Sequence, residues 1–195
     1  MRAFVRHVLE TLVSAVLLVV QTFIPLGRGF HMVVPLIVYL TGLEWTHPDF
    51  ELLFFSQELL FGRIVAIVGF VVFLMAFSQY LLEKGDMITS GVYSFVRHPQ
   101  YLGITVITLG LTVMCRQHRD HTVSDEALRF AWLIQTVGYI LLALYEEHAL
   151  LKEHTEEYQQ YKRRVPFLFP IPCLSSIPQP LVTMIIFIIM SVLLV

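Results

Sequence analysis

Long uninterrupted apolar runs are the feature that most constrains the fold of this chain. Three segments, at about 5–25, 60–82 and 127–151, are long enough to cross a bilayer as a helix, which takes about 20 apolar residues. Two shorter runs, at about 99–115 and 180–195, can also cross if flanking residues reach the interface. Only 14% of the residues are charged, against about 25% in soluble domains. We therefore predict an all-α, polytopic membrane helix bundle with about five transmembrane helices.

The stretches between these runs suggest how the chain is organised. Residues 32–43 form a run of a dozen residues that contains Pro35, which favours a re-entrant or interfacial segment. Acidic residues alternate with phenylalanines up to Glu58, a pattern that suits a helix lying on the membrane surface. No internal repeat or Ser/Gly linker divides the chain. We predict one domain, 1–195, with an N-terminal helix and interfacial segment (1–58), a core (59–172) and a C-terminal membrane helix (173–195).

The first polar block, residues 85–101, directly precedes and opens an apolar run. Gly85 and Gly91 permit backbone conformations closed to other residues and allow a ligand to approach closely. Pro99 suits the first turn of a helix. The free N–H groups of that helix favour an anion beside His98 and Gln100, such as the carboxylate of an amino-acid-like cofactor. The alternative is an interfacial belt, because Arg, His and Tyr are common at the mouth of a membrane helix.

The second polar block begins with Glu146 and Glu147, which end the apolar run 131–145. An uncompensated carboxylate at membrane depth costs about 2.5 kcal/mol or more, so one of the two should face a polar cavity or a cation. Alternatively, the helix simply leaves the membrane there and becomes solvated. Residues 148–164 resemble an amphipathic cytoplasmic helix, and its basic residues 162–164 suit either anionic lipid headgroups or a substrate or cofactor.

Several other functions lack support in the sequence. Cys115 and Cys173 form no Cys-x-x-Cys motif and the histidines show no ligand spacing, so no metal site is predicted. No basic stripe indicates nucleic acid as a partner. The serines lack the context of a hydrolase nucleophile.

The distribution of Lys and Arg predicts the orientation. With five crossings and the N-terminus inside, the cytoplasmic side receives Arg2, Arg6, Lys84, Arg97, Lys152, Lys162, Arg163 and Arg164, and the far side receives Arg28, Arg63, Arg116, Arg119 and Arg129. Both polar blocks then face the cytoplasm. Six crossings with the N-terminus outside would keep the blocks inside and move Arg2 and Arg6 out.

In this order, the two blocks resemble the signature of the integral-membrane methyltransferases related to isoprenylcysteine carboxyl methyltransferase, over about residues 78–170. The resemblance implies a compact bundle of membrane helices, S-adenosylmethionine in a cytoplasm-facing pocket and a lipid-like acceptor that enters from the bilayer. It implies that Glu146 and Arg164 are catalytic. The cofactor contacts that it implies are Gln79, Gly85, Asp86, Met87, Ile88, Tyr93, Arg97, His98, Pro99, Gln100, Tyr101, Glu146 and Glu147.

One departure from the family pattern bears on the acceptor. The prenylcysteine enzymes carry an arginine four residues before the acidic residue, where this chain has Leu142. A carboxylate acceptor would need Arg163 or Arg164 instead. The sequence still predicts methyl transfer to a membrane-embedded or lipid-like acceptor, with a prenylcysteine carboxylate first and phospholipid N-methylation or thiol S-methylation as alternatives.

Two further hypotheses come from other classes. One is a membrane reductase, although a dinucleotide cofactor would favour more basic phosphate contacts than Lys84 and Arg97 provide beside Glu83 and Asp86. The other is a non-enzymatic membrane scaffold. Membrane lipids are the expected surroundings in every case.

Overall fold

The structure is a computed structural model that describes residues 35–37, 55–83, 87–117, 124–169 and 178–194. Within these ranges all regular secondary structure is helical, as the sequence predicts. The elements are α1 (Leu60–Leu82), a 3-10 turn (Gly91–Ser94), α2 (Pro99–Gln117), α3 (Asp125–Glu153), α4 (Thr155–Arg164) and α5 (Gln179–Leu194).

The helices coincide with most of the predicted apolar runs. Helices α1 and α3 are long and apolar enough to cross a membrane, judged by length and composition. The runs at 99–115 and 180–195 correspond to α2 and α5. The predicted span at 5–25 lies outside the described residues, as does most of 32–58. Five crossings and the division of the domain therefore remain predictions.

Helices α1 and α2 are antiparallel and approach each other through glycines. A Cβ built on Gly110 would lie 2.5 Å from the carbonyl oxygen of Gly62, and one on Gly69 would lie 2.8 Å from that of Gly103. The two glycines of each helix are seven residues apart, so they share one face. Small residues that let backbones approach closely are typical of helix interfaces in membranes. This contact places the end of α1 beside the start of α2.

Replacing Gly110 with valine should therefore destabilise the protein by about 1–3 kcal/mol or more, because backbone atoms cannot yield as a flexible side chain would. A thermal melt of the detergent-purified protein measures the effect. Val68→Leu is the matched control, since it enlarges a side chain on the exposed side of α1. Equal melting temperatures for Gly110→Val and the wild type would contradict this packing.

An aromatic core fixes α3 and α5 against α2. Tyr101 stacks on Tyr139 with ring centroids 5.3 Å apart. Trp132 is fully buried, and its indole N–H donates to the carbonyl of Thr105 at 3.1 Å. Phe187 of α5 meets the Trp132 ring edge-on at 5.6 Å. The core thus begins immediately beneath the first turn of α2, where the polar blocks lie.

Local sequence sets the helix boundaries around that region. Pro99 occupies the first position of α2, where its missing N–H has no cost. Ser124 caps α3 by accepting a hydrogen bond from the N–H of Ala127 at 3.3 Å. His154, with φ −131° and ψ 56°, breaks the helix between α3 and α4. The change of direction brings α4 back over the end of α3.

Candidate functional site

Gln79, near the end of α1, anchors the loop that leads to α2. Its amide oxygen accepts from the N–H of Val92 at 3.1 Å. Its amide nitrogen donates to Glu83 at 2.7 Å and to Ser90 at 2.8 Å. Gly91 has φ 53°, and a Cβ there would collide with the Gln79 amide. These loop contacts engage both ends of the amide, and a direct cofactor contact from Gln79 remains a prediction.

The same network acts on Glu83. The Ser90 hydroxyl donates to the Glu83 carboxylate at 2.6 Å. Hydrogen bonds from Ser90 and Gln79 hold the pKa of this exposed carboxyl below its ordinary value. The ionised Glu83 carboxylate at the end of α1 thus holds Ser90, and with it the loop that leads to α2.

Glu147 lies at the centre of a buried ion cluster. Its Oε1 is 2.6 Å from Nη1 of Arg97, and its Oε2 is 2.6 Å from Nζ of Lys162. The side chains of Arg97 and Glu147 are 2% and 3% exposed. One of the two glutamates does face a cation, as the sequence indicates, and that cation belongs to the protein. The cluster joins both polar blocks to α4.

Glu146 is more accessible and has different neighbours. Its Oε1 accepts from the Tyr101 hydroxyl at 2.6 Å, and its Oε2 is 3.5 Å from Nδ1 of His98. The side chain is 26% exposed. This carboxylate therefore has fixed partners on one side and solvent-accessible surface on the other.

His98 lies between the two carboxylates. Nδ1 faces Glu146 and Nε2 faces Glu147, each at 3.5 Å. The rings of Tyr101 and Phe167 lie 5.7 Å and 5.3 Å from the imidazole. Only a doubly protonated imidazolium can donate from both nitrogens. The geometry thus favours the charged form.

The pH dependence of stability should report this arrangement. Burial by itself lowers the pKa of His98, but hydrogen bonds and charges from Glu146 and Glu147 outweigh it and raise the pKa above its ordinary value. The stabilisation is therefore complete below the ordinary pKa of about 6.5 and is lost as pH rises through the raised pKa. As the pH rises above about 6.5, we expect the melting temperature of the wild type to fall relative to that of His98→Asn. If the melting temperatures of the two proteins change with pH in parallel, His98 does not contribute this stabilisation.

Tyr93 and α4 close one side of the site. Tyr93 is buried, and its carbonyl accepts from the Tyr161 hydroxyl at 2.7 Å. Burial, and then the negative charge of Glu146, raise the pKa of Tyr93, and the Tyr93 hydroxyl donates to the carbonyl of Ala76 at 3.5 Å. Tyr158, also on α4, is 1% exposed. Helix α4 is thus fixed to both polar blocks.

Gln100, in the first turn of α2, has a buried side-chain oxygen that could accept a hydrogen bond from a ligand. The residue is buried, and its Oε1 has no hydrogen-bond partner within the described structure. A buried carbonyl oxygen without a donor is costly unless a water, ion or ligand supplies one. The atom suits a ligand that carries N–H groups.

The remaining predicted residues are distributed around this centre. Pro99 is buried at the start of α2, and Met87 and Ile88 are half-buried in the preceding loop. Gly85 and Asp86 lie outside the described residues. Arg164 is exposed at the end of α4, and its catalytic role remains a prediction.

Three contributors were missed from sequence. The sequence predicts that Lys162 meets lipid headgroups or a ligand, whereas the structure pairs it with Glu147. Phe167 places its ring 5.3 Å from the Arg97 guanidinium carbon. Gln179 accepts from Nη2 of Arg97 at 2.6 Å across 82 positions of sequence. For Lys162, the signal in the sequence was its place among the basic residues of a predicted amphipathic helix. Phe167 and Gln179 had no comparable signal.

Within the described ranges, no group of three or more His, Cys, Asp or Glu residues is arranged to hold a metal ion.

Comparison with known proteins gives a family and several relatives. The family described as "Protein of unknown function (DUF1295)" matches residues 29–165. Methanethiol S-methyltransferase 1 of Bradyrhizobium diazoefficiens is 38% identical over 79 residues, which are 40% of this chain and 24% of that protein. Methanethiol S-methyltransferase of Crocosphaera subtropica is 36% identical over 83 residues, 42% of this chain and 28% of its own. Methanethiol S-methyltransferase of Mycobacterium tuberculosis is 38% identical over 82 residues, which are 42% of this chain and 29% of that protein.

The similarity thus spans roughly a quarter of the length of these relatives. No solved structure matches the chain.

Proposed function

The chain belongs to the DUF1295 family, and from this premise we propose that it is an S-adenosylmethionine-dependent methyltransferase whose acceptor is a small thiol. The observation that carries the proposal is the convergence of two distant polar blocks on one site. His98 of the first block lies 3.5 Å from both Glu146 and Glu147 of the second.

The sequence is compatible with three kinds of acceptor: a prenylcysteine carboxylate, a phospholipid amine and a small thiol. The similar proteins are named for methyl transfer to methanethiol, which favours the thiol over a prenylcysteine carboxylate or a phospholipid amine. Leu142, where the prenylcysteine enzymes carry an arginine, packs against the hydrophobic core. It offers no cation to a carboxylate acceptor. Arg163 and Arg164, the possible replacements, are exposed at the end of α4.

The residues of the site fit the proposed cofactor. Glu146 presents a partly exposed carboxylate to a cation, and the buried Oε1 of Gln100 can accept from an ammonium group. The first turn of α2 suits a carboxylate, because free N–H groups and the helix dipole favour an anion there. S-adenosylmethionine would supply an electrophilic methyl group on positively charged sulfur and leave as a neutral thioether that needs no acid.

The task of the protein is then alignment and exclusion of water. Tyr101 and His98 fix the Glu146 carboxylate before any ligand arrives. Arg97 and Lys162 hold Glu147, which keeps His98 in place from the other side. Such preorganisation is effective because the charged groups need not reorient during the reaction.

A thiol acceptor must lose its proton, since the thiolate is the nucleophile. His98 is not available as the base, because both ring nitrogens face carboxylates. Among the described residues, the cluster combines the cationic Arg97, His98 and Lys162 with the carboxylates of Glu146 and Glu147. Neighbouring cations lower the pKa of a thiol. We infer that the cluster promotes ionisation of the thiol electrostatically and that the thiol proton passes to solvent water.

We also propose that the bundle lies in a membrane with the cluster at its cytoplasmic face. Helix α1 exposes Phe61, Ile64, Ile67, Val68, Phe70, Val71 and Met75, which suits contact with lipid. The end of the bundle that holds the cluster also carries the basic last turns of α3 and α4. Cytoplasmic ends of membrane proteins are enriched in Lys and Arg. Lipid contacts and a lipid-like acceptor route remain expectations.

The proposal is tested with protein purified in detergent. Labelled S-adenosylmethionine should bind and be displaced by S-adenosylhomocysteine, and the labelled methyl group should appear in the thioether formed from methanethiol. A prenylcysteine and a phospholipid amine serve as competing acceptors. Absence of cofactor binding would overturn the methyltransferase proposal, whereas transfer only to a competing acceptor would overturn the choice of thiol.

A further inference from the structure

The C-terminal helix α5 contacts the site although it lies beyond the residues that the family matches. Its first residue, Gln179, accepts a hydrogen bond from Nη2 of Arg97 at 2.6 Å. Gln179 lies outside both polar blocks, and no sequence motif indicates a role for it. The contact brings a helix outside the two polar blocks into the ion cluster.

Helix α5 is held to the bundle independently of Gln179. Phe187 is 1% exposed and packs against Trp132 and Phe169 at ring-centroid distances of 5.6 Å and 5.0 Å. Thr183 and Ser191 are also buried on this helix. A substitution at Gln179 therefore leaves the main attachment of α5 intact.

Arg97 is the residue through which Gln179 can influence the site. Nη1 binds Glu147 at 2.6 Å, Nη2 binds Gln179, and the backbone N–H donates to the carbonyl of Pro166 at 2.9 Å. The guanidinium also lies over the Phe167 ring. Because its donors form a rigid planar fork, fixing one end sets the direction of the other. Without Gln179, the guanidinium could rotate away from Glu147, the carboxylate that supports His98.

We propose that Gln179 is a positioning residue: by holding Nη2 of Arg97, it keeps Glu147, and through it His98, in the arrangement that binds the cofactor. The proposal rests on the proposed function, since S-adenosylmethionine is the ligand whose binding is measured. It assigns to the C-terminal helix a part in cofactor affinity.

The test compares three variants of the full chain in detergent. Gln179→Leu removes the acceptor, Gln179→Glu keeps an oxygen at the same reach, and Ser191→Ala is the control. Ser191 is a buried polar residue of the same helix whose hydroxyl donates to Ile188 within that helix. The measured quantities are the Kd for S-adenosylmethionine, the KM for the thiol and the melting temperature.

Gln179→Leu should weaken cofactor affinity about tenfold, the effect of losing one hydrogen bond to a buried charge, with little change in the thiol KM. Gln179→Glu should restore most of that affinity, and Ser191→Ala should leave it unchanged. In an Arg97→Lys background the Gln179→Leu effect should largely disappear, because the fork is absent.

Two results separate the possible failures. If the wild type binds no S-adenosylmethionine, the proposed function fails and this role fails with it. If the wild type binds and Gln179→Leu binds equally well, or loses affinity only as much as Ser191→Ala, the positioning role alone is refuted. A loss of melting temperature without rescue of affinity by Gln179→Glu would also refute it.

Discussion

Replacing Glu147 with alanine is expected to lower the free energy of unfolding by about 3–5 kcal/mol, the usual effect of removing one partner from a buried ion pair. The side chain is 3% exposed and binds both Arg97 and Lys162. Without it, Arg97 remains buried as an uncompensated cation, whereas Lys162 is 41% exposed and can return to solvent. Unfolding of the purified protein, followed by heat or denaturant, measures the loss.

The control is Glu157→Ala, which removes an exposed carboxylate from α4 and should change stability by less than about 0.5 kcal/mol. A double variant, Arg97→Met with Glu147→Leu, should be more stable than Glu147→Ala, because apolar residues of similar volume relieve the unpaired charge. Equal stability of Glu147→Ala and Glu157→Ala would contradict the ion cluster.

Replacing Glu146 with glutamine is expected to weaken binding of S-adenosylmethionine about ten- to a hundredfold, as expected when a charged partner is lost from a ligand. The amide has nearly the shape of the carboxylate, so the change removes charge and little packing. Glu146 is 26% exposed, and for this reason the effect on stability should be smaller than at Glu147. Equilibrium binding of labelled cofactor gives the affinity.

Glu156→Gln is the matched control for Glu146→Gln, because it removes one negative charge from an exposed position on α4. Tyr101→Phe tests the fixed orientation of Glu146, since it removes the hydroxyl that donates at 2.6 Å and keeps the ring. We expect Tyr101→Phe to weaken binding less than Glu146→Gln. If Glu146→Gln binds the cofactor as well as Glu156→Gln does, Glu146 does not contact it.

The sequence does not show that Glu147 should matter mainly for stability and Glu146 mainly for cofactor affinity. Both glutamates end the same apolar run, and both were predicted as cofactor contacts. Adjacent residues on a helix point about 100° apart, so Glu147 meets Arg97 and Lys162 while Glu146 meets Tyr101 and His98. Which side faces the core depends on the rotation of α3 against α2, and packing sets that rotation.

The α1–α2 contact was missed for a related reason. Gly62, Gly69, Gly103 and Gly110 fall within apolar runs, and the sequence does not show which glycine of one run meets which glycine of the other. Their pairing appears only when the two helices lie antiparallel and their backbones meet. Gln179 is the same kind of case, because 82 positions separate it from Arg97.

The sequence alone determined the helical class, the positions of α1, α2, α3 and α5, and the two polar blocks. Length and hydrophobicity of a segment are local properties, and they decide whether it forms an apolar helix. Tertiary structure alone decided which carboxylate is sealed in an ion cluster, which stays accessible, and which distant residues support them. Those outcomes depend on burial and on distances between helices, and charges interact strongly only when packing brings them within a few ångströms and removes water.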